Sequence, residues 1–236
     1  MVRQFYALML LLVVSGCAAK MCPKTYNVRY LPKVNVNIDG VLDEPDWEKA
    51  DSEKGFSFPW EKRPAPLTEF RALCDDQSLY FYFRAHDEDV VVVEEKSDDE
   101  TIVRVEDRVE IFFTPDNTLK KYFCMEIDPL GRVYDYQASY YRKFDVSWSW
   151  PGLCVKGSIT GTGYIVEGSI RLKDLESLGL PALSSGHILK AGLFRGEFSH
   201  GQGAEPVAHW ISWVDPGGKT PDFHVPTSFG CFKMVK

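Results

Sequence analysis

Arg108 to Tyr136 reads RVEIFFTPDNTLKKYFCMEIDPLGRVYDY, a segment whose apolar residues recur with a period of two. Val109, Ile111 and Phe113 alternate with Arg108, Glu110 and Phe112, the spacing that sends successive side chains to opposite faces of a strand. Lys121 to Ile127 then meets Arg132 to Tyr136 across Asp128-Pro129-Leu130-Gly131, a turn that returns the chain antiparallel to itself. The same pattern extends outward in both directions. Phe70 to Cys74 and Leu79 to Ala85 flank the turn Asp75-Asp76-Gln77-Ser78. Leu153 to Ile159, Tyr164 to Leu172, His187 to Phe198, Val207 to Trp213 and Phe229 to Val235 follow as further strands, with glycines at the turns. Helical patterns are confined to Glu44 to Lys49 and Lys173 to Leu178. Many short strands joined as a meander predict an all-β sandwich or barrel with one or two short helices. Asp87 to Glu106 is acidic and poorly patterned, and is expected to be a long surface loop.

Composition agrees with one globular domain. The chain has 236 residues, 44% hydrophobic and 14% aromatic, enough to bury a sizeable core. Its formal charge of −7 argues against nucleic acid or an anionic membrane face as partner. The first sixteen residues carry one Arg and an apolar run from Phe5 to Val14, which is too short for a mature span and suits a secretory signal. Val14-Ser15-Gly16-Cys17 follows and resembles a bacterial lipobox, which predicts a chain beginning at a lipidated Cys17. The expected organisation is a signal peptide at 1–16, a lipidated Cys and tether at 17–27, and a sandwich at 28–236. Membrane contact is then through the lipid anchor alone, in a bacterial cell envelope, on the periplasmic or surface face of the outer membrane. The five other cysteines, Cys22, Cys74, Cys124, Cys154 and Cys231, lack metal-ligand spacing, and an odd number leaves at least one unpaired.

Five blocks occur in an order that resembles carbohydrate-binding module family 9 and its family-9-like relatives in the DOMON superfamily. They are IDGVLDEPDWEKA at Ile38 to Ala50, CDDQSLYFYFRAHDED at Cys74 to Asp89, EDRVEIFFTPD at Glu106 to Asp116, GYIVEGSIRL at Gly163 to Leu172, and ISWVDP with PTSFG near the end. The resemblance implies an immunoglobulin-like, DOMON-type antiparallel β-sandwich that holds oligo- or polysaccharide at a sheet edge, without catalysis of its own. It also implies bound calcium of a structural kind and no organic cofactor. A neighbouring glycoside hydrolase or transporter would be the partner that such a capture module serves in polysaccharide catabolism.

Candidate ligand residues follow from chemistry and from the resemblance. Trp60 lies in SFPWEKRPAP, whose prolines resist a ladder, so an exposed ring there suits a sugar platform. Trp148 and Trp150 in DVSWSWPG share a side if extended, and Tyr140 and Tyr141 thicken the same aromatic region. Trp47, Trp210 and Trp213 read instead as framework. Glu110 stands where the resemblance places a ligand-binding glutamate. Arg195 is a lone charge in an apolar strand and is expected either to meet a carboxylate or to contact ligand. Arg104 and Phe223 occupy the positions at which glucan-binding members of the family carry two stacking Trp, so one platform is smaller and the other is missing.

Asp87 and Asp107 are the candidate calcium ligands, since hard carboxylate oxygens suit that ion; Glu88, Asp89, Asp98, Asp99 and Glu100 lack the fixed spacing of a calcium loop. Two alternatives belong to other classes. A haem b electron-transfer domain would use Met125 with His86, His200, His209 or His224 as axial ligands. A glycoside hydrolase would need two carboxylates flanking one cleft.

Overall fold

A computed structural model describes residues 22–93, 100–183, 187–203 and 205–236. The signal peptide and Cys17 lie outside the described residues, as do Asp98 and Asp99. The strands are β1 (Thr25–Tyr30), β2 (Thr68–Cys74), β3 (Ser78–His86), β4 (Arg108–Thr114), β5 (Tyr122–Ile127), β6 (Val133–Ser139), β7 (Lys143–Asp145), β8 (Leu153–Thr160), β9 (Gly163–Arg171), β10 (Ile188–Ser199), β11 (Val207–Ser212) and β12 (Gly230–Val235). One α-helix, α1 (Leu172–Ser177), and three 3-10 segments, Pro45–Lys49, Glu100–Val105 and Pro226–Ser228, complete the described secondary structure. The all-β class is therefore as the sequence reads. No helix among the described residues is long and apolar enough to cross a membrane.

The strands join in the order β7-β6-β5-β4-β10-β12-β1-β2-β3-β9-β8, with β11 hydrogen-bonded to β10 off this path. Only parts of this are a meander. The run β4 to β7 folds back by successive antiparallel hairpins, but β1 lies parallel to both of its neighbours, β12 and β2. A parallel pair cannot be closed by a hairpin, so the chain must cross over between sheet halves. β1 also revises the domain boundary: a strand starting at Thr25 belongs to the sandwich rather than to a tether reaching residue 27.

The sheet curls so that its two halves share one core. Tyr26, Phe70, Phe81, Phe83 and Val166 from the β1-β2-β3-β9 half meet Val109, Ile111, Phe113, Phe123, Met125 and Leu193 from the β4-β5-β10 half. The alternation in β4 assigns these faces. Val109, Ile111 and Phe113 point into the shared core, while Phe112 points outward into a second cluster with Phe194, Tyr122, Tyr136, Phe223 and Phe229. A third cluster closes the outer face of β2 and β3, where Trp47 packs on Tyr82 and Leu73 and donates its indole N–H to Glu167 at 3.0 Å. Trp47 and Trp213 are thus framework, as expected from sequence.

Asp87 to Glu106 differs from a surface loop at its end. Glu106 and Asp107 are wholly buried: Glu106 accepts from the Val93 N–H at 2.7 Å and pairs with Arg132 at 2.6 Å, which fastens the segment to the β5–β6 turn. Cys22 and Cys231 form a disulfide, while Cys74 and Cys124 are free and buried and Cys154 is free and exposed.

Candidate functional site

The outer face of the β4-β5-β6 hairpins carries a cleft of about 310 Å³. Strand alternation builds its floor. Arg108 and Glu110 follow Phe112 on the outward face of β4, and register sets Glu110 directly opposite Glu126 on β5, with Tyr134 beside Glu126 on β6. The walls come from elsewhere: Arg104 from the 3-10 segment before β4, Arg142 and Phe144 from the β6–β7 hairpin, Trp210 from β11, and Pro221, Asp222, Phe223 and His224 from the closing loop. That loop is pinned to the floor. Phe223 stacks on Phe194 with centroids 4.2 Å apart and planes 14° apart, and His224 stacks on Phe112 at 5.2 Å.

Charges in the cleft are mostly paired. Arg108 contacts Glu110 at 3.0 Å and Glu126 at 2.7 Å, and Tyr136 donates its hydroxyl to Glu126 at 2.8 Å. Two carboxylates thus share one guanidinium, with little water to help. Burial, and then the neighbouring Glu126, push the Glu110 carboxyl up to about 8. Arg142 pairs with Asp222 at 3.0 Å. Burial holds His224 neutral, down to about 3, and its Nδ1 shares a hydrogen bond with Tyr122 at 3.1 Å. Aromatic faces beside oriented donors and acceptors are what a hydroxylated, partly apolar ligand needs. The volume suits a compact ligand such as one or two sugar rings.

The cleft gathers Arg104, Glu110 and Phe223 from the residues singled out in the sequence. Others stand elsewhere. Trp60 touches Phe223 at 5.8 Å and donates its indole N–H to Gly218 at 2.9 Å, supporting the closing loop without lining the cleft. Trp148 and Trp150 do share a side, but it is the shared-core side. Trp150 is 6% exposed, packs on Phe113 and Phe123, and donates to the Cys124 carbonyl at 3.0 Å; Trp148 packs against Phe123 and Trp150. As sugar platforms these two are corrected, because alternation says which residues face together and not which way they face. Trp210 was read as framework but is half-buried in the cleft wall, 5.9 Å from Phe223. Arg108, Glu126, Tyr136 and Arg142 join the cleft without a counterpart among the sequence candidates, while Asp222 and His224 enter it from the closing loop around Phe223. Arg108 was legible, since it shares the face of Glu110; the others required cross-strand register or the closure of a distant loop.

Arg195 is likewise removed from the ligand candidates. It is 0% exposed on the core side of β10, bonding Asp87 at 3.1 Å, contacting Glu197, and donating to Thr68 and to the His86 carbonyl. Carboxylate pairing is the reading that holds. Asp87, Asp107 and Glu197 each offer an oxygen within 4.8 Å of the others. Burial pushes Asp107 up to about 8 and Glu197 up to about 7, with further repulsion inside the group. One guanidinium opposes three carboxylates here, and Arg195 Nε and the Tyr164 hydroxyl have no hydrogen-bond partner among the described residues. Hard oxygen donors with surplus negative charge fit a divalent cation of the calcium kind.

The haem arrangement is not assembled. Met125 is buried in the shared core, whereas His224 belongs to the opposite face, His86 and His200 are exposed, and His200 and His209 engage Asp89 and Glu61. The carboxylates that line the cleft are engaged by arginines instead of standing as a free pair: Glu110 and Glu126 by Arg108, and Asp222 by Arg142.

Three solved structures share this architecture. A family 9 carbohydrate-binding module from Caldicellulosiruptor kristjanssonii in complex with cellotriose is 18% identical, with a TM-score of 0.59 over 89% of this chain and 93% of that one. The same organism's module in complex with glucose matches at 18% identity and TM-score 0.59, over 90% and 96%. A protein from Bacteroides uniformis described as carbohydrate-binding matches at 15% identity and TM-score 0.66, over 90% and 99%. No curated protein matches the chain. Residues 38–236 match the model of the carbohydrate family 9 binding domain-like family, so the chain belongs to that family of non-catalytic binding domains.

Proposed function

We propose that the cleft over β4, β5 and β6 is the saccharide-binding site of a non-catalytic capture protein. The observation that carries this is the convergence of Phe223, Trp210, Tyr134 and Phe144 with the Arg108–Glu110–Glu126 group in one small cavity. Rings supply flat apolar faces, and the charged groups select hydroxyl positions by strong hydrogen bonds. Cellotriose and glucose occupy the Caldicellulosiruptor modules, which supports a sugar of this general size. A glycan array followed by calorimetry tests the reading. A hit whose affinity falls about tenfold or more in Phe223→Ala and in Trp210→Ala supports it, on the scale of a lost aromatic stack. An array without any hit, or a hit indifferent to both substitutions, overturns it.

Asp87, Asp107 and Glu197 are proposed to hold a calcium ion that fastens the segment before β4 to β10. Calcium titration should raise the melting temperature of the wild-type protein and leave Asp107→Asn unmoved. Equal shifts in the two proteins would remove the site.

The proposed setting is a lipid-anchored face of the bacterial envelope, serving hydrolases or transporters in polysaccharide catabolism. Support comes from the apolar run ending at Val14-Ser15-Gly16-Cys17, and from the Cys22–Cys231 disulfide, a bond typical of oxidising compartments. Metabolic labelling with a fatty acid should mark the wild-type protein and not Cys17→Ala.

A further inference from the structure

We propose that the cleft takes an acidic saccharide, with Arg104 binding a carboxylate or sulfate group on the sugar; this rests on the saccharide reading of the same cleft. Three guanidiniums reach the cavity, and two are already matched: Arg108 by Glu110 and Glu126, and Arg142 by Asp222. Arg104 has no carboxylate partner among the described residues. It is exposed at the lip, and its guanidinium lies 5.8 Å from the ring centre of Tyr134, another lining residue.

Three arginines and three carboxylates line the cavity, so the charges balance in number and not in place: all three acids are taken up by Arg108 and Arg142, and Arg104 stands apart at the lip. Burial acts in the same sense, since it raises the Glu110 carboxyl and so weakens the negative charge set against the arginines. His224 adds no charge. Neutral hydroxyls can be served by the matched pairs, but a guanidinium beside an aromatic ring and without a carboxylate partner among the described residues suits an anion. Its planar fork fits two oxygens of a carboxylate or a sulfate ester. The titratable and charged groups around Arg104 are Glu100 on its own 3-10 segment, which acts on Tyr134 together with Arg104; Arg108 and Glu110 on β4; Glu126 on β5; Tyr134 and Tyr136 on β6; Arg142 on the following hairpin; and Asp222 and His224 on the closing loop.

Calorimetry with trigalacturonate, a sulfated galactose trisaccharide and neutral galactotriose decides the matter in wild type, Arg104→Ala and Arg104→Lys. Arg104 is exposed, so thermal melts of both variants should overlay the wild type and separate folding from binding. Wild type is expected to prefer at least one acidic probe over galactotriose by about tenfold, the scale of one charged hydrogen-bonded contact. That ratio should collapse toward one in Arg104→Ala, recover partly in Arg104→Lys, and shrink in 0.5 M salt. Whichever acidic probe gains shows whether carboxylate or sulfate is the preferred anion. Equal wild-type binding of acidic and neutral probes overturns the proposal and leaves the saccharide reading standing. An acidic preference that persists in Arg104→Ala overturns it too. Failure of all three probes in wild type, against a hit elsewhere on the array, overturns the acidic assignment alone; an empty array overturns both readings.

Discussion

Arg108 shows how one side chain can decide both stability and recognition. Its guanidinium is buried and answers two buried carboxyl groups, so removing it leaves both without their cation. Arg108→Met should cost about 3–5 kcal/mol of unfolding free energy near neutrality, the usual penalty for breaking a buried ion pair. Urea denaturation measures that loss. Glu110 gives the complementary prediction. Its pKa is raised on folding, so its contribution is complete below the ordinary value of 4.5 and fades as pH rises toward about 8. Stability of the wild type should therefore fall between pH 5 and pH 8 more steeply than that of Glu110→Gln; parallel curves would refute the shift. The groups that set this slope are Arg108, Glu126, Arg142 and Tyr136. At this scale, residue type was readable in advance and direction was not. Glu110 is a candidate through the family resemblance and Arg195 as a lone charge in an apolar strand, yet β4 turns Glu110 to the cleft and β10 turns Arg195 to the core.

Strands carry the site because register brings distant residues opposite one another. Glu110 meets Glu126, and Glu126 meets Tyr134, through two consecutive hairpins. The β5–β6 turn holds this register by a local device. Asp128 accepts from the N–H groups of Leu130 and Arg132 at 2.9 and 2.8 Å, and Gly131 adopts φ +81°, which a side chain would strain. β10 contributes by leaving room. A methyl group on Gly192 would fall 2.5 Å from the Phe194 ring, the ring on which Phe223 stacks. Gly192→Ala should therefore push Phe194 against the closing loop, costing about 1–3 kcal/mol by overpacking and weakening saccharide binding as well. Thermal melts and calorimetry on that variant check both effects. The strands of the hairpins were legible because alternation is strong there. β1 and β7 were not, since β1 is stabilised by two parallel neighbours far away in sequence, and β7 has three residues, all exposed.

On the scale of the whole molecule, the class could be read from the number and spacing of strands, but the crossover that interleaves β10 and β12 could not. Those strands follow the hairpins in sequence and lie between the halves in space. Long-range closure of this kind is where the disulfide acts. Cys22 and Cys231 stand 209 residues apart, beside the register pair Thr25 and Cys231, so the bond closes nearly all of the described chain. Cys22→Ser should lower stability by about 2–5 kcal/mol, read as a loss of melting temperature that reducing agent reproduces in the wild type and not in the variant. The same bond decides how the molecule bears tension. A pull on residues ahead of Cys22 enters β12 directly through sulfur, in the middle of the sheet, and does not peel β1 away one hydrogen bond at a time. Load applied there would be borne by the covalent bond and by the two strands that flank β12.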